Sequence, residues 1–377
     1  METQETRRAL RTDILRLLAL TGCAVALFFV TRAIFARQRS LEIREAARWY
    51  EVGESQLREG EIASATRSLR KAIRDDPNNR KYAIRLADAL ADAGHNTEAI
   101  EALSRLRESD PEDASLNLHL ARLAAKDNDV SDAIHYYENA LYGRWTGGQV
   151  DARQRDTRIE LIQFLLSQHE HQRALSELLI LDGELPQSAD AQNQAAELFL
   201  EANDLPRAFK HFEQAAHLDP QDVDALTGAG EASFRLGDYR TARHFLEAAV
   251  KRGEPDPKTV RDLSVAKTIL RSDPFAPHIS PAERERRTLS IFDLSLRRLQ
   301  ACAEQHDVDA QLQALRAQAV AIQPKLSPNA VLQNPEMTTT ALELVSEMER
   351  ATNATCGGAQ PADDAMLLIA RLHGGAE

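Results

Sequence analysis

A 34-residue period runs six times between residues 46 and 256 and limits this stretch to a stack of similar helical hairpins. The copies occupy 46–79, 80–113, 114–147, 155–188, 189–222 and 223–256. Position 20 of every copy is alanine, at Ala65, Ala99, Ala133, Ala174, Ala208 and Ala242. Two antiparallel helices need a small side chain where their backbones approach, so each copy is expected to be a closely packed pair. Position 8 is Gly53, Ala87, Ala121, Ala196 and Gly230 in five copies but Ile162 in the fourth, which predicts a different spacing there. Position 24 supplies a larger side chain to fill between helices: Leu69, Leu103, Tyr137, Leu178, Phe212 and Leu246. The turn inside each pair favours a residue that tolerates positive φ, and Gly60, Gly94, Asn128, Asn203 and Gly237 all do. His169 replaces them in the fourth copy. Pro77, Pro111, Pro186 and Pro220 close four copies, since proline cannot continue a helix.

This pattern, with Trp49, Val52 and Ala72 of the first copy, resembles the tetratricopeptide repeat. The resemblance implies an all-α fold, a right-handed α-solenoid of six helix-turn-helix repeats. It also implies a concave face, made by the first helix of each pair, that takes a protein or peptide partner. Mapped onto this chain, that groove offers Tyr50, Glu54, Asp88, Asp92, Arg122, Lys126, Asn193, Glu197 and Arg235 as candidates. Chaperone-binding members of the family clamp a carboxylate there, but Tyr50 and Glu54 stand where that ligand would be repelled. Arg122 and Lys126 lie one helical turn apart, with acidic Asp88 and Asp92 on the preceding copy, so a partner segment bearing both charge signs is expected.

Outside the repeats, residues 14–35 form an apolar stretch whose length as a helix matches a bilayer core, after a tail of residues 1–13. An uncleaved transmembrane helix is expected. Leu20-Thr21-Gly22-Cys23 looks like a lipobox, but the apolar run continues well past Cys23; no A-x-A cleavage site follows the run. Arginines flank both ends and do not decide orientation. A short basic tail before the first apolar segment favours an inner-membrane signal anchor with an extracytoplasmic soluble part.

Residues 257–272 are expected to be a capping helix, and 280–377 a small C-terminal helical region. Between them the proline-rich Asp273 to Pro281 must be extended. Ser280-Pro281-Ala282-Glu283 carries the signals of a helix start. The segment 142–154 adds residues beyond the period and holds Gly143, Gly147 and Gly148; it is either a hinge or a longer rigid loop packed by Trp145. Cys302 and Cys356 have neither a CxxC partner nor a histidine at ligand spacing, which argues against structural zinc; a disulfide or two buried thiols are the alternatives. His169-Glu170-His171 and Asp127-Asn128-Asp129 fall at repeat turns and are expected to be turn residues instead of metal sites.

A formal net charge of −12 is the opposite of what a nucleic-acid binder shows. No nucleotide, hydrolase or zinc-protease motif is present, so neither a cofactor nor a metal is expected, nor an enzyme. The expected function is a membrane-anchored adaptor or scaffold in a bacterial envelope complex. The alternative is an enzyme with an unrecognised C-terminal active site and repeats that recruit substrate.

Overall fold

The repeat turns show most directly how local sequence sets this fold. In the computed structural model Gly60, Gly94 and Gly237 have φ of 80°, 80° and 81°, and Asn128, His169 and Asn203 each have 61°. All six turns are thus left-handed, His169 included, and a residue with a Cβ is strained there by about 1 kcal/mol. Replacing His169 by glycine is expected to raise the denaturant midpoint by an amount corresponding to about 1 kcal/mol. Unchanged or lower stability would show that His169 holds the turn by its side chain.

The structure describes the backbone of residues 2–254, 256–306, 309–327, 334–357 and 361–373, with side chains from residue 27 onward except at 335, 370 and 373. These residues form seventeen α-helices and a short 3-10 turn, Gln323–Lys325, with no strand among them. Two compact units divide the chain after Gln168.

The first unit contains α1 (Glu2–Arg58), α2 (Ile62–Asp75), α3 (Arg80–Asp92), α4 (Asn96–Arg107), α5 (Ala114–Lys126), α6 (Val130–Tyr142) and α7 (Val150–Ser167). Ala65, Ala99 and Ala133 have no exposed surface, and Leu69 and Leu103 fill the space beside them. A Cβ on Gly53 would stand 2.9 Å from Leu69 Cγ, so position 8 is small because position 24 occupies that space. The core runs from Ala46 and Tyr50 through Leu86 and Leu90 to Leu116 and Leu120.

The segment 142–154 is pinned. Arg144 reaches the Asp110 carboxylate at 2.9 and 2.7 Å, and its backbone N–H donates to Glu112 O at 2.7 Å. Arg153 lies over the Trp145 ring at 5.1 Å and donates to the Thr146 and Gly148 carbonyls. A Cβ on Gly143 would stand 2.5 Å from Asn139 O, leaving no room for any other residue. This is the packed loop; the division between units falls elsewhere, at the turn of the fourth copy.

The second unit contains α8 (His171–Glu184), α9 (Ala189–Glu201), α10 (Leu205–Leu218), α11 (Val223–Arg235), α12 (Tyr239–Arg252), α13 (Pro257–Ser272), α14 (Pro281–Gln305), α15 (Ala310–Ile322), α16 (Pro335–Cys356) and α17 (Pro361–His373). Ala174, Ala208 and Ala242 are again fully buried. The last helices share a core with the end of the solenoid. Tyr239, Val265, Ala266 and Ile269 share one core with Phe292, Leu296, Leu299, Met348 and Ile369. Arg261 on α13 also binds Asp364 on α17 at 2.8 Å, and Arg287 caps the carbonyls of Leu270 and Asp273. Helix α13 therefore closes the repeats with one side and seats the last four helices with the other.

Aspartate caps start many helices, because a carboxylate accepts from the free N–H groups of the first turn. Asp256 accepts from the Thr259 hydroxyl and amide, which hold its carboxyl below the usual range. At Asp238 burial works to raise the pKa, but the hydroxyl and amide of Thr241 outweigh it and the carboxyl is lowered. A depressed carboxylate stabilises above its unfolded value and loses that contribution as pH falls through the folded one. Urea midpoints are expected to drop below about pH 4, and the double variant Asp238→Asn, Asp256→Asn to show a shallower drop. An equal acid slope in wild type and variant would locate the acid sensitivity elsewhere.

Helix α1 continues unbroken through the expected anchor. Side chains of residues 14–26 lie outside the described residues; of the rest, Leu27, Phe28, Phe29, Val30, Ile34 and Phe35 are exposed. Among the described residues no helix is long and apolar enough to cross a membrane.

Candidate functional site

The first helices of successive repeats place their polar side chains against one another, and most of the groove candidates are engaged in these ties. In the first unit Glu54 on α1 accepts from Arg85 Nε on α3 at 2.5 Å. Asp88 on α3 faces His119 Nδ1 on α5 at 3.6 Å. Lys126 on α5 donates to the Ala91 carbonyl at 2.7 Å, and Arg122 makes a two-pronged pair with Glu160 on α7 at 2.9 and 2.6 Å. Arg122 and Lys126, expected to offer free charges to a partner, are instead engaged within the chain, and the Glu160 bonds hold the Arg122 guanidinium above its usual value. Asp92 is exposed.

The second unit repeats the pattern. Asn193 on α9 donates to Asp222 at the start of α11, Arg235 donates to Asn203 Oδ1 at 2.6 Å, and Lys258 pairs with Glu231 at 2.6 Å. Burial, followed by the nearby Asp224 and Asp222 carboxylates, raises the Glu197 pKa. The face is acidic there.

One part of this ladder leaves a recess. A cleft of about 350 Å³ is lined by Tyr50, Arg80, Lys81, Ile84 and Arg85. The Tyr50 ring stacks on Tyr82 with centroids 4.8 Å apart, and Lys81 Nζ lies 4.3 Å above it. Burial, then the hydrogen bond to Glu54, pushes the Tyr50 hydroxyl up to about 12, so it stays protonated as a donor. Burial also works to raise Glu54, but the bonds from Arg85 and Tyr50 hold its carboxyl below the usual range. The repulsion expected from Glu54 is thereby neutralised. Arg80 is paired with Asp113 at 2.6 Å, so three cations face two carboxylates around an apolar floor. An acidic group next to an apolar side chain fits this chemistry. Lys81 and Ile84 lie on the first-helix groove positions expected from the sequence, whereas Arg85 does not, and its tie to Glu54 depends on how adjacent repeats stack.

A wider cleft of about 860 Å³ lies between the second helices α10 and α12, lined by Lys210, Glu213, His217, His244, Phe245 and Lys251 among others. It is larger and of mixed charge; on its wall Glu247 pairs with Lys267 at 3.0 Å, and the His244 and Phe245 rings meet edge-on with centroids 5.2 Å apart.

At the far end of the second unit a disulfide joins Cys302 on α14 to Cys356 on α16, with Cα atoms 6.1 Å apart. Closing a loop of 54 residues contributes about 4 kcal/mol by the chain-entropy relation. A His306 ring nitrogen and both sulfurs lie within 4.8 Å of one another. The histidine at ligand distance that the sequence analysis does not expect is His306, which follows Cys302 by four residues at the C-terminal cap of α14. His169 lies in the repeat turn and His171 opens α8, with ring centroids 6.1 Å apart, and Asp129 caps α6.

Residues 56–123, 165–223 and 199–263 match models described as the tetratricopeptide repeat. A stretch of 100 residues is 36% identical to cellulose synthase operon protein C of Komagataeibacter xylinus, covering 26% of this chain and 7% of that protein. Another of 85 residues is 34% identical to tetratricopeptide repeat protein 9C of Xenopus tropicalis, covering 22% of this chain and 47% of that one. The chain thus spans under half the length of these curated relatives. Among solved structures, YrrB, described as a TPR protein with an unusual peptide-binding site, aligns at a TM-score of 0.41 and 19% identity, over 53% of this chain and 97% of that one. PilW, described as a type IV pilus biogenesis factor, aligns at 0.39 and 18% identity, over 59% and 98%. The repeat register, the left-handed turns and the matching family models together identify residues 56–123 and 165–263 as tetratricopeptide repeats.

Proposed function

We propose that this chain is a membrane-anchored scaffold that holds a partner protein through the Tyr50–Arg85 cleft, in the assembly of a bacterial envelope complex. The cleft carries this reading: it is apolar at its floor, cationic at its rim and set by ties between α1 and α3. A partner segment with an apolar side chain followed by a carboxylate buries the first on Ile84 and Tyr50 and meets Lys81 with the second. The exposed apolar side chains from Leu27 to Phe35 support the anchor, since water is a poor solvent for such a run. The disulfide supports placing the soluble part outside the cytoplasm, where such bonds persist. Anchoring the cleft near the bilayer raises the local concentration of a membrane-bound partner.

Full-length chains carrying Lys81→Glu or Ile84→Ala are expected to recover about tenfold less of the partner from native membranes than wild type. Arg67→Glu on the exposed side of α2 serves as the matched control and is expected to recover as much as wild type. Equal recovery by all three variants would remove the cleft as the binding site.

A further inference from the structure

We propose that Cys302, His306 and Cys356 form a thiophilic metal site, for Zn2+ in particular, that is closed while the two cysteines are joined and opens when a dithiol reductant parts them. Two helix ends converge at this point. Cys302 lies in the last turn of α14 and His306 caps that helix, with its N–H donating to Cys302 O at 3.1 Å. Cys356 is the last residue of α16, and Arg298 holds the following carbonyl, Gly357 O, at 2.7 Å. Both helices therefore present their C-terminal, partially negative ends to the same place, which favours a cation.

The distances suit a tetrahedral ion. With Zn–S near 2.3 Å and Zn–N near 2.0 Å, two thiolates stand about 3.8 Å apart and a thiolate and an imidazole nitrogen about 3.6 Å. The three ligand atoms already lie within 4.8 Å of one another, and backbones with Cα atoms 6.1 Å apart let the sulfurs separate by side-chain rotation alone. Arg298 lies one turn before Cys302, and Glu349 and Asp363 compensate its charge.

The two sulfurs differ in access, since Cys302 is 3% exposed and Cys356 is at the surface. A thiolate of the reductant attacks the Cys356 sulfur, the S–S bond breaks, and Cys302 leaves as a thiolate. The second thiol of the reductant then displaces Cys356 and the reductant ends as its own disulfide. One Zn2+ binds the two thiolates and the neutral imidazole nitrogen, the two thiol protons pass to water, and a water molecule completes the fourth position. The same pair of helix ends is held together in both states, covalently in one and by the ion in the other.

The test uses the full-length chain in detergent on a Cys23→Ser background, reduced with dithiothreitol, desalted under argon and titrated with Zn2+ against a chromophoric chelator. One Zn2+ per reduced chain and none per oxidised chain is the expected result. Cys356→Ser and His306→Ala, both at accessible positions, are expected to weaken binding by about tenfold or more while leaving the helical circular dichroism unchanged. With Co2+ as the probe, the thiolate-to-metal charge-transfer absorption is expected to fall by about half in Cys356→Ser, because one of two thiolates is gone. Three results overturn the proposal: no Zn2+ on the reduced chain, equal binding by the oxidised chain, or unaltered binding in both variants.

Discussion

Ala208→Lys is expected to lower the stability of the repeats by about 4 kcal/mol, and Ala133→Lys by a similar amount in the other unit. Both alanines have no exposed surface, and each sits where a second helix meets its partner. A lysine there adds volume to a filled space, which costs about 1–3 kcal/mol, and leaves a cation without a partner, which costs several more unless the pair opens. In a solenoid such a lesion spreads only to neighbours, so hydrogen exchange is expected to accelerate in the mutated repeat and those beside it. Denaturant melts that match wild type would show that position 20 does not close the pair.

Removing the Arg298 side chain is expected to cost about 3–5 kcal/mol at neutral pH, because it leaves a buried carboxylate unpaired. Glu349 is 1% exposed and is held by the Ser295 hydroxyl at 2.7 Å and by Arg298. Burial, the largest influence, raises its pKa even with Arg298 present. A carboxyl with a raised folded pKa contributes stability fully present below its unfolded value and lost as pH rises through the folded one. The deficit of Arg298→Ala is therefore expected to shrink as pH is lowered toward 5, and Arg298→Ala with Glu349→Gln to recover much of it at neutral pH. A deficit independent of pH would assign the loss to the packing of Arg298 and to its bonds with Gly357 O and Asp363.

What the sequence revealed and what it hid follow from the range of the forces involved. The turns at Gly60, Asn128 and Gly237 are local backbone requirements, and the alanines at position 20 are set by contact within one hairpin, so both were visible at fixed spacing. The tie of Arg122 to Glu160 was not. It joins residues 38 apart, against 35 or fewer for the other groove ties, because the segment 142–154 inserts residues between the two copies. A free groove charge and a tie between repeats have the same residue types at the same positions, and only the stacking tells them apart. In α13 the amphipathic pattern suited a solvated cap, yet Val265 is 2% exposed and Val260 is 48% exposed, since the helix answers to two cores at once. The pairing of Cys302 with Cys356 rests on the meeting of two helix ends that no spacing announces.

The most direct test of the scaffold account is site-specific crosslinking in the membranes of the cell that makes the protein. A photoreactive residue at position 81 or 84 of the full-length chain is expected to yield one discrete adduct with a single partner, and the same group at position 67 none. Adducts from position 67 or from α16 and α17, with none from 81 or 84, would contradict it.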